Sequence, residues 1–497
     1  MGHSLQKTSG SIGALLLALA FFGPGLGTGL AQSPGTNQPW TYLLLNDSYL
    51  VDDCLICGRP TIQVPLRGSF SLRLIEENVL SARYAVENIQ FNTAARHYRV
   101  TGGGTFEIGG EVAVTLRMTL QVTIDDGFTN KVCYFKSTTG IMNQPCPMMD
   151  ITLDQTNGTF TQVFTLRVAA APVREIWFST VSGFTPTNSQ SSSSFVEGGD
   201  LISTAGRTIK RNADLFTSVG AFPPVPDLGL DALDMLPGGE IAFSLGSGIF
   251  STTLGPLQQG DLLSNKGRII RRNQDLLASF ITEPATNDVG LDAVHVLETG
   301  EILFSTVTNV FSKGLNASLH HGDLLSSTGT IMRSNQQLLA RFHLADATND
   351  YGLDAFYVWP SGEIWFSTET GFQDQVLGEV LAGDLLSDQG YIVFRNLELL
   401  DAFAPKETLP DFGLDTLYIV TDATPPAPSS ILAIKTGGSS GGATLTWQGQ
   451  GRVFQVQRAD AAIGPFQSLS PILPDLSFED SGTRTNHAQL FYRLRQW

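Results

Sequence analysis

Basic residues are scarce in this chain, whose 497 residues include 30 Lys and Arg against 47 Asp and Glu. A nucleic-acid partner is not expected, because contacts to phosphates need clustered Lys and Arg. Long apolar runs are also lacking beyond the N-terminal region, so no membrane span is predicted in the remainder of the chain. Only 15% of the residues are charged while Gly alone contributes 51. This combination favours short strands and turns over long helices.

Motifs of the common enzyme classes are missing as well. The chain has no HExxH motif, no Walker A loop, no GxGxxG that opens a helix and no GxSxG elbow leading from a strand into a helix. His320 and His321 are adjacent, but we interpret them as solvated loop residues rather than as bases or metal ligands. His295 lies in a predicted strand and is interpreted as ordinary variation between repeats. A non-catalytic role is therefore favoured over an enzyme.

A pattern of about sixty residues occurs four times and sets the architecture. Each copy has a GEI or REI step that leads into Phe-Ser, a GDLIS or GDLLS step, and a GLDA or GLDT step. The aspartates of the last two steps each advance by 61, 62 and 61 residues. They are Asp200, Asp261, Asp323 and Asp384 in the first set, and Asp231, Asp292, Asp354 and Asp415 in the second.

Short strands account for the content of one repeat. DYGLDAFYVWPSGEIWFST predicts a hairpin, GDLLSSTGTIMRSN a third strand, and QQLLARF a fourth apolar stretch. Four strands per repeat are typical of a propeller blade. The first repeat lacks a leading GLDA strand, and the last is followed by a surplus one. We therefore predict that Leu414–Val420 pairs with Glu175–Thr180 and closes a four-bladed propeller over residues 174–421.

The repeats resemble the blades of NHL-type secreted propellers. The resemblance rests on GLDALDMLPGGEIAFS, GLDAVHVLETGEILFS and GLDAFYVWPSGEIWFS, and it covers about half of the chain. It implies that each GLD strand is innermost, with its aspartate near the central axis. It carries no activity over, since the catalytic and metal residues of enzymes in that group have no positional counterpart here.

All-β domains are predicted on both sides of the repeats. Residues 36–173 alternate apolar and polar side chains over long stretches, as from Val112 to Ile124, which indicates a β-sandwich. Residues 422–430 form a Pro- and Ser-rich linker. Residues 431–497 resemble a fibronectin type III module, on loose motifs such as TLTWQG and LFYRLRQW, with Trp447 as a core aromatic.

The N-terminus and the cysteines indicate export. Residues 1–31 have the order of a secretory signal peptide, with Lys7 before an apolar stretch and a cleavage site after Ala31. An even number of cysteines in an exported chain favours disulfides of unknown connectivity, whereas CLICGRP also resembles a zinc knuckle and a redox-active CxxC is a further alternative. The four cysteines are Cys54, Cys57, Cys133 and Cys146.

The GLD aspartates are the candidate site, with two interpretations. In a closed ring, Asp231, Asp292, Asp354 and Asp415 would meet at one mouth of the channel. Carboxylates that close repel one another unless a cation lies between them, and calcium accepts many oxygen ligands. The alternative, which we prefer from the sequence, is that each Asp accepts backbone N–H bonds in a recurring turn.

The sequence thus predicts a secreted, cell-surface or periplasmic protein that binds without catalysis. Its partner is expected to be an extracellular protein or glycan, contacted in a binding or adhesion role through loops of variable length on one face of the ring. The alternative is an extracellular hydrolase or lactonase with a metal in the channel. Calcium is the one cofactor that the residues suggest.

Overall fold

The computed structural model describes residues 39–78, 80–93, 98–110, 114–137, 140–141, 147–188, 194–222, 227–284, 288–423, 431–436, 443–462, 466–481 and 489–497. In these ranges the fold is all-β, with antiparallel sheets and only a few short helical turns. The predicted signal peptide, most of the predicted linker and Cys146 lie outside the described residues. No helix in the described part is long and apolar enough to cross a membrane.

The N-terminal region is built from long strands in one hydrogen-bonded sheet. They are β1 Trp40–Leu44, β2 Tyr49–Asp53, β3 Ile62–Pro65, β4 Arg67–Glu77, β5 Ser81–Asn92, β6 Arg99–Gly109, β7 Thr115–Asp125, β8 Asn130–Ser137, β9 Gly140–Ile141, β10 Met149–Gln155 and β11 Val163–Ser179. Their order is β1-β4-β5-β6-β7-β8-β10-β11, and β1 also pairs with β11. The predicted sandwich is not confirmed, because all these strands belong to this one sheet.

Alternation of apolar and polar residues places one face of this sheet in a core. In β7 the side chains of Leu116, Met118, Leu120, Val122 and Ile124 are buried, and the residues between them are more exposed. Burying an apolar side chain of this size contributes ~1.5–3 kcal/mol. The alternation that was visible in the sequence therefore reflects a one-sided core.

The repeat region contains the remaining strands up to β34. They are β12 Leu201–Ser203, β13 Arg207–Lys210, β14 Ala221–Phe222, β15 Leu233–Leu236, β16 Glu240–Phe243, β17 Ile249–Ser251, β18 Gly255–Leu257, β19 Leu262–Ser264, β20 Arg268–Arg271, β21 Thr282–Glu283, β22 Val294–Val296, β23 Ile302–Phe304, β24 Val310–Ser312, β25 Ala317–Leu319, β26 Leu324–Ser326, β27 Thr330–Arg333, β28 Phe356–Val358, β29 Ile364–Phe366, β30 Phe372–Asp374, β31 Gly378–Val380, β32 Leu385–Ser387, β33 Tyr391–Phe394 and β34 Thr416–Thr421. Short helices follow the fourth strand of each repeat: α1 Asn212–Phe216, α2 Asn273–Leu276, α3 Asn335–Leu338 and α4 Asn396–Leu399.

Each repeat forms a four-stranded antiparallel sheet. Three are β15-β16-β19-β20, β22-β23-β26-β27 and β28-β29-β32-β33. The fourth combines both ends of the array, since β34 pairs with the second half of β11, which continues into β12 and β13. The register runs from Glu175 opposite Val420 to Ser179 opposite Thr416. The predicted pairing of the surplus strand is confirmed.

The outer part of each repeat differs from the prediction. GDLLSSTGTIMR forms the third and fourth strands as a hairpin, and QQLL forms a helical turn rather than a strand. The turn is stabilised by a capping box, in which Ser334 and Gln337 exchange hydrogen bonds, and it buries Leu338. A single helical turn is too short to repeat the hydrophobic pattern by which a helix is recognised in a sequence, so it was not predicted.

The four sheets surround one axis and are joined into a ring. We call β15, β22, β28 and β34 the inner strands; each has Cα atoms within 8 Å of two of the others, in the cyclic order β34-β15-β22-β28. Each Phe-Ser step joins its sheet to the next, because the serine hydroxyl donates to the leucine carbonyl of a GLD step. The donors and acceptors are Ser179 and Leu230, Ser244 and Leu291, Ser305 and Leu353, and Ser367 and Leu414.

The C-terminal region forms two three-stranded sheets, β35-β36-β39 and β38-β37-β40. The strands are β35 Ile431–Thr436, β36 Ala443–Gln448, β37 Phe454–Ala459, β38 Gln467–Ser468, β39 Ser477–Asp480 and β40 Phe491–Gln496. Trp447 is buried, as predicted. Val453 and Ile472 join the hydrophobic core of the ring, and Asp422 binds both Arg174 and Arg495. This module is thus packed onto the ring.

Candidate functional site at the acidic end of the ring

The four GLD aspartates lie at one end of the ring. Each stands directly before an inner strand, or one residue removed from it, at the same position of its repeat. Because the inner strands occupy equivalent places around the axis, their first residues lie near one another at one end, or mouth, of the ring. We call this mouth, with Asp231, Asp292, Asp354 and Asp415, the acidic mouth.

The backbone around each aspartate is held rigidly. The leucine of the step is fully buried, and its carbonyl accepts the serine hydroxyl described above. The glycine of the step has a φ between +75° and +78°, a conformation that other residues adopt only with strain. The Gly-Leu-Asp sequence therefore fixes the backbone position of each aspartate.

These carboxylates do not cap turns. Among the described residues, no backbone N–H donates to any of the four; Asp231 accepts one bond, from the side chain of Gln259 at 3.1 Å. Asp292 is 7% exposed, and its Oδ2 is buried without a hydrogen-bond partner. The turn-cap interpretation is therefore wrong, because the donors that it requires are absent from these carboxylates.

Burial raises the pKa of all four groups, and repulsion from neighbouring carboxylates adds to this for Asp292, Asp354 and Asp415. Burial is the larger cause for Asp292 and Asp354, and the neighbouring ring carboxylates and Glu369 raise the pKa of both further, well above the usual range. Burial and Asp231 raise the pKa of Asp415 to about 7. The pKa of Asp231 is raised by burial and lowered in part by Gln259. Among the described residues, no Lys or Arg lowers the pKa of any of the four.

Two further residues of the mouth escaped the sequence analysis. His321, interpreted as a solvated loop residue, lies with Nδ1 3.0 Å from Glu369 Oε2 and Nε2 3.6 Å from Asp350 Oδ2. Glu369 occupies a repeat position that elsewhere holds Val181, Gly246 or Val307. This departure from the repeat was the available signal, and His321 departs from its repeat in the same way.

A second recurring set of aspartates is structural. Each accepts a backbone N–H from a glycine of the preceding GD step and another from its own GLD glycine. Asp350, for example, binds the N–H groups of Gly322 and Gly352. Asp227, Asp288 and Asp411 do the same. These carboxylates connect two loops through hydrogen bonds, and their oxygens accept backbone N–H groups, unlike those of the acidic mouth.

The opposite end of the ring is covered by Arg452 of the C-terminal module. Arg452 lies there with Nη1 2.6 Å from the carbonyl of Met235 and 3.4 Å from Asp234 Oδ2. Its Nη2 lies 3.2 Å from the carbonyl of Val296. The lining residues share one repeat position, three after each GLD aspartate: Asp234, His295, Tyr357 and Tyr418. His295, interpreted as ordinary variation, is therefore part of this lining.

Replacing Arg452 should loosen the attachment of the C-terminal module. We expect Arg452→Ala to destabilise the protein by ~1.5–3 kcal/mol, because charged hydrogen bonds to buried acceptors are lost. Arg268→Ala is the control, since Arg268 forms an exposed ion pair with Glu240, and such pairs contribute ~0–1 kcal/mol. Denaturant unfolding measures both changes. Equal small losses would contradict the role of Arg452 as an anchor.

The potential metal ligands do not converge on a metal site. Among the described residues, no three His, Cys, Asp or Glu side chains form a group that could hold a metal ion. Cys54 and Cys57 form a disulfide, so the preference for a disulfide over a zinc knuckle is confirmed for them. Cys133 is buried and forms no disulfide with a described residue.

Comparisons with known proteins show little similarity. No protein-family model and no curated protein matches the chain. Two solved structures that align with it are extracellular domains of hybrid two-component systems, BT3049 and BT4673, of B. thetaiotaomicron. The first is 8% identical, covers 90% of this chain and 82% of that chain, and has a TM-score of 0.18. The second is 7% identical, covers 85% and 73%, and has a TM-score of 0.19. Scores this low support no transfer of fold or function.

Proposed function

We propose that this chain is an exported, non-catalytic binding protein, and that its ring is a four-bladed β-propeller whose acidic mouth receives a positively charged group of the partner. One observation carries the proposal: Asp292 Oδ2 is buried without a partner in a ring of carboxylates that the backbone does not cap. A buried carboxylate without a donor is costly, and a bound cation removes that cost.

The position of the mouth supports a role in recognition. The other end of the ring is occupied by Arg452, which leaves the acidic mouth as the end for a ligand. The loops around this side belong to different repeats and vary in sequence, as binding loops on rigid scaffolds do. Between the two partner classes, an acidic mouth favours a protein that offers Lys or Arg over a neutral or anionic glycan.

Export is supported by the Cys54–Cys57 disulfide, since disulfides persist mainly in oxidising compartments. The sequence of residues 1–31 supports it too. In the C-terminal module, two packed sheets are compatible with a fibronectin type III-like sandwich. The alternative hydrolase or lactonase has one observation in its favour, the His321–Glu369 contact at the same mouth. It would need a metal site that the described side chains do not form.

Positively charged ligands should stabilise the protein through the acidic mouth. We expect basic peptides, either of Lys or of Arg, to raise the melting temperature, because a ligand that binds the folded state stabilises it by mass action. The double variant Asp292→Asn with Asp354→Asn should lose this response. Thermal unfolding at neutral pH and low salt measures it. If neither kind of ligand stabilises the parent, the acidic mouth is not a binding site.

A further inference from the structure

Among the described residues, no cationic side chain contacts the carboxylates of the acidic mouth. Of the four carboxylates, only that of Asp231 accepts a hydrogen bond from a described residue. The unpartnered oxygen of Asp292 and the side chain of Asp354, 8% exposed, are shielded from bulk water. The contrast with Asp234, three residues after Asp231, is informative, because Asp234 accepts N–H bonds from Met235 and Val296.

The geometry does not suit a directly bound metal. Calcium takes six to eight oxygens at about 2.3–2.6 Å, whereas no three acidic or histidine side chains of the described residues form such a group. An ammonium or guanidinium group has different requirements. Its N–H donors spread over several ångströms, so it satisfies carboxylates that are distributed around a ring rather than drawn together at a point.

The ring already holds such a group at its other end. The guanidinium of Arg452 donates to two backbone carbonyls of inner strands and to Asp234. The same four inner strands form both mouths, and Asp234 follows Asp231 at about 10 Å along the chain. The guanidinium of Arg452 fits between the inner strands at one end of the ring, and at the acidic mouth the four carboxylates are acceptors for a second such group.

From this geometry we propose that the acidic mouth binds an organic cation, the ammonium or guanidinium group of a lysine-like or arginine-like ligand. The inference rests on the proposed function and specifies its ligand. The group enters between the carboxylates of Asp292 and Asp354 and donates to the unpartnered oxygen. The aliphatic stem that carries it extends outward past His321 and Glu369 toward the loops. A free diamine and a side chain of a partner protein offer the same chemistry.

Agmatine, which carries a guanidinium and a primary amine, is the probe. Calorimetric titration of the full chain at pH 7.5 and low salt should give saturable binding, and Asp292→Asn with Asp354→Asn should weaken it at least tenfold. Asp401→Asn, which removes one carboxylate from an exposed position, should bind agmatine as the parent does. Tetramethylammonium has the charge without N–H donors and should bind at least tenfold more weakly.

Calcium separates this inference from the proposed function. If calcium binds in a manner that depends on the two aspartates and agmatine does not bind, the mouth is a cation site but the organic ligand is wrong. If neither binds, both proposals fail. If the double variant does not fold, Asp354→Asn alone serves, with the same tenfold criterion. An Arg-containing tripeptide that binds more tightly than agmatine identifies a protein side chain as the ligand; weaker binding identifies a free amine.

Discussion

Removing residues 413–421 is expected to abolish cooperative unfolding of the ring. These residues contain β34, every residue of which is buried. Deletion would leave the second half of β11 with an unpaired edge and would open the core between the first and last sheets. The buried Leu417, Ile419 and Val420 each contribute ~1.5–3 kcal/mol, and a domain has only about 5–15 kcal/mol of stability in total.

A deletion of equal length elsewhere shows whether the effect is due to the loss of ring closure or to the removal of a segment of this length. Residues 372–380 span an equally long segment that forms the β30–β31 hairpin, outside the four-stranded sheets of the ring. Deleting it should lower the melting temperature but preserve a single sharp transition. Scanning calorimetry and near-ultraviolet circular dichroism distinguish the two results. If the variant without 413–421 melts like the parent, the ring does not depend on its closing strand.

Closure could be predicted from the sequence because it is a property of the repeat. The missing strand before Arg174 and the surplus strand after Asp415 are complementary, and only one pairing uses both. The common position of the four aspartates was visible for the same reason. Residues that recur at one position of the repeat can be located in the fold from the sequence alone, since equivalent residues occupy equivalent places in each sheet.

The chemistry of the site could not be predicted in this way. A Gly-Leu-Asp turn is compatible both with a carboxylate that caps backbone N–H groups and with one that points into the channel, and the sequence does not distinguish them. Arg452 reaches Asp234 from another domain, over 218 residues of chain, and no local pattern reports such a contact. His321 and Glu369 come from different repeats and differ from the residues at equivalent positions. A comparison of what the repeats share therefore does not find them.

The acidic mouth should make stability fall as pH rises from about 4 to 7. In the unfolded chain, Asp ionises near pH 3.9, whereas Asp415 in the ring keeps its proton until about pH 7, and the pKa of Asp292 and Asp354 is also raised. Between these values the folded state binds more protons than the unfolded state. Stability therefore declines with pH in this window, and below about pH 4 the difference vanishes.

Asp292→Asn with Asp354→Asn should remove most of this decline. At pH 7 we expect the variant to be more stable than the parent by ~1–3 kcal/mol, because Asn avoids the cost of keeping two buried aspartates protonated in the folded state while they ionise in the unfolded chain. Near pH 4 the two proteins should unfold alike. Urea unfolding at several pH values measures the difference, and Asp401→Asn should follow the parent throughout. Identical slopes in parent and double variant would show that the pKa values of Asp292 and Asp354 are not raised in the folded state.

The charged groups around Asp292 and Asp354 link the pH dependence of stability to cation binding. Asp231, Asp415 and Glu369 add negative charge around the two substituted positions, while Gln259 is neutral. His321 holds its imidazole against Glu369 rather than against the ring aspartates. No described cation therefore relieves the repulsion from within. Such a stability loss at neutral pH is typical of sites retained for function, and saturating agmatine should reduce the pH slope of the parent while leaving that of the double variant unchanged.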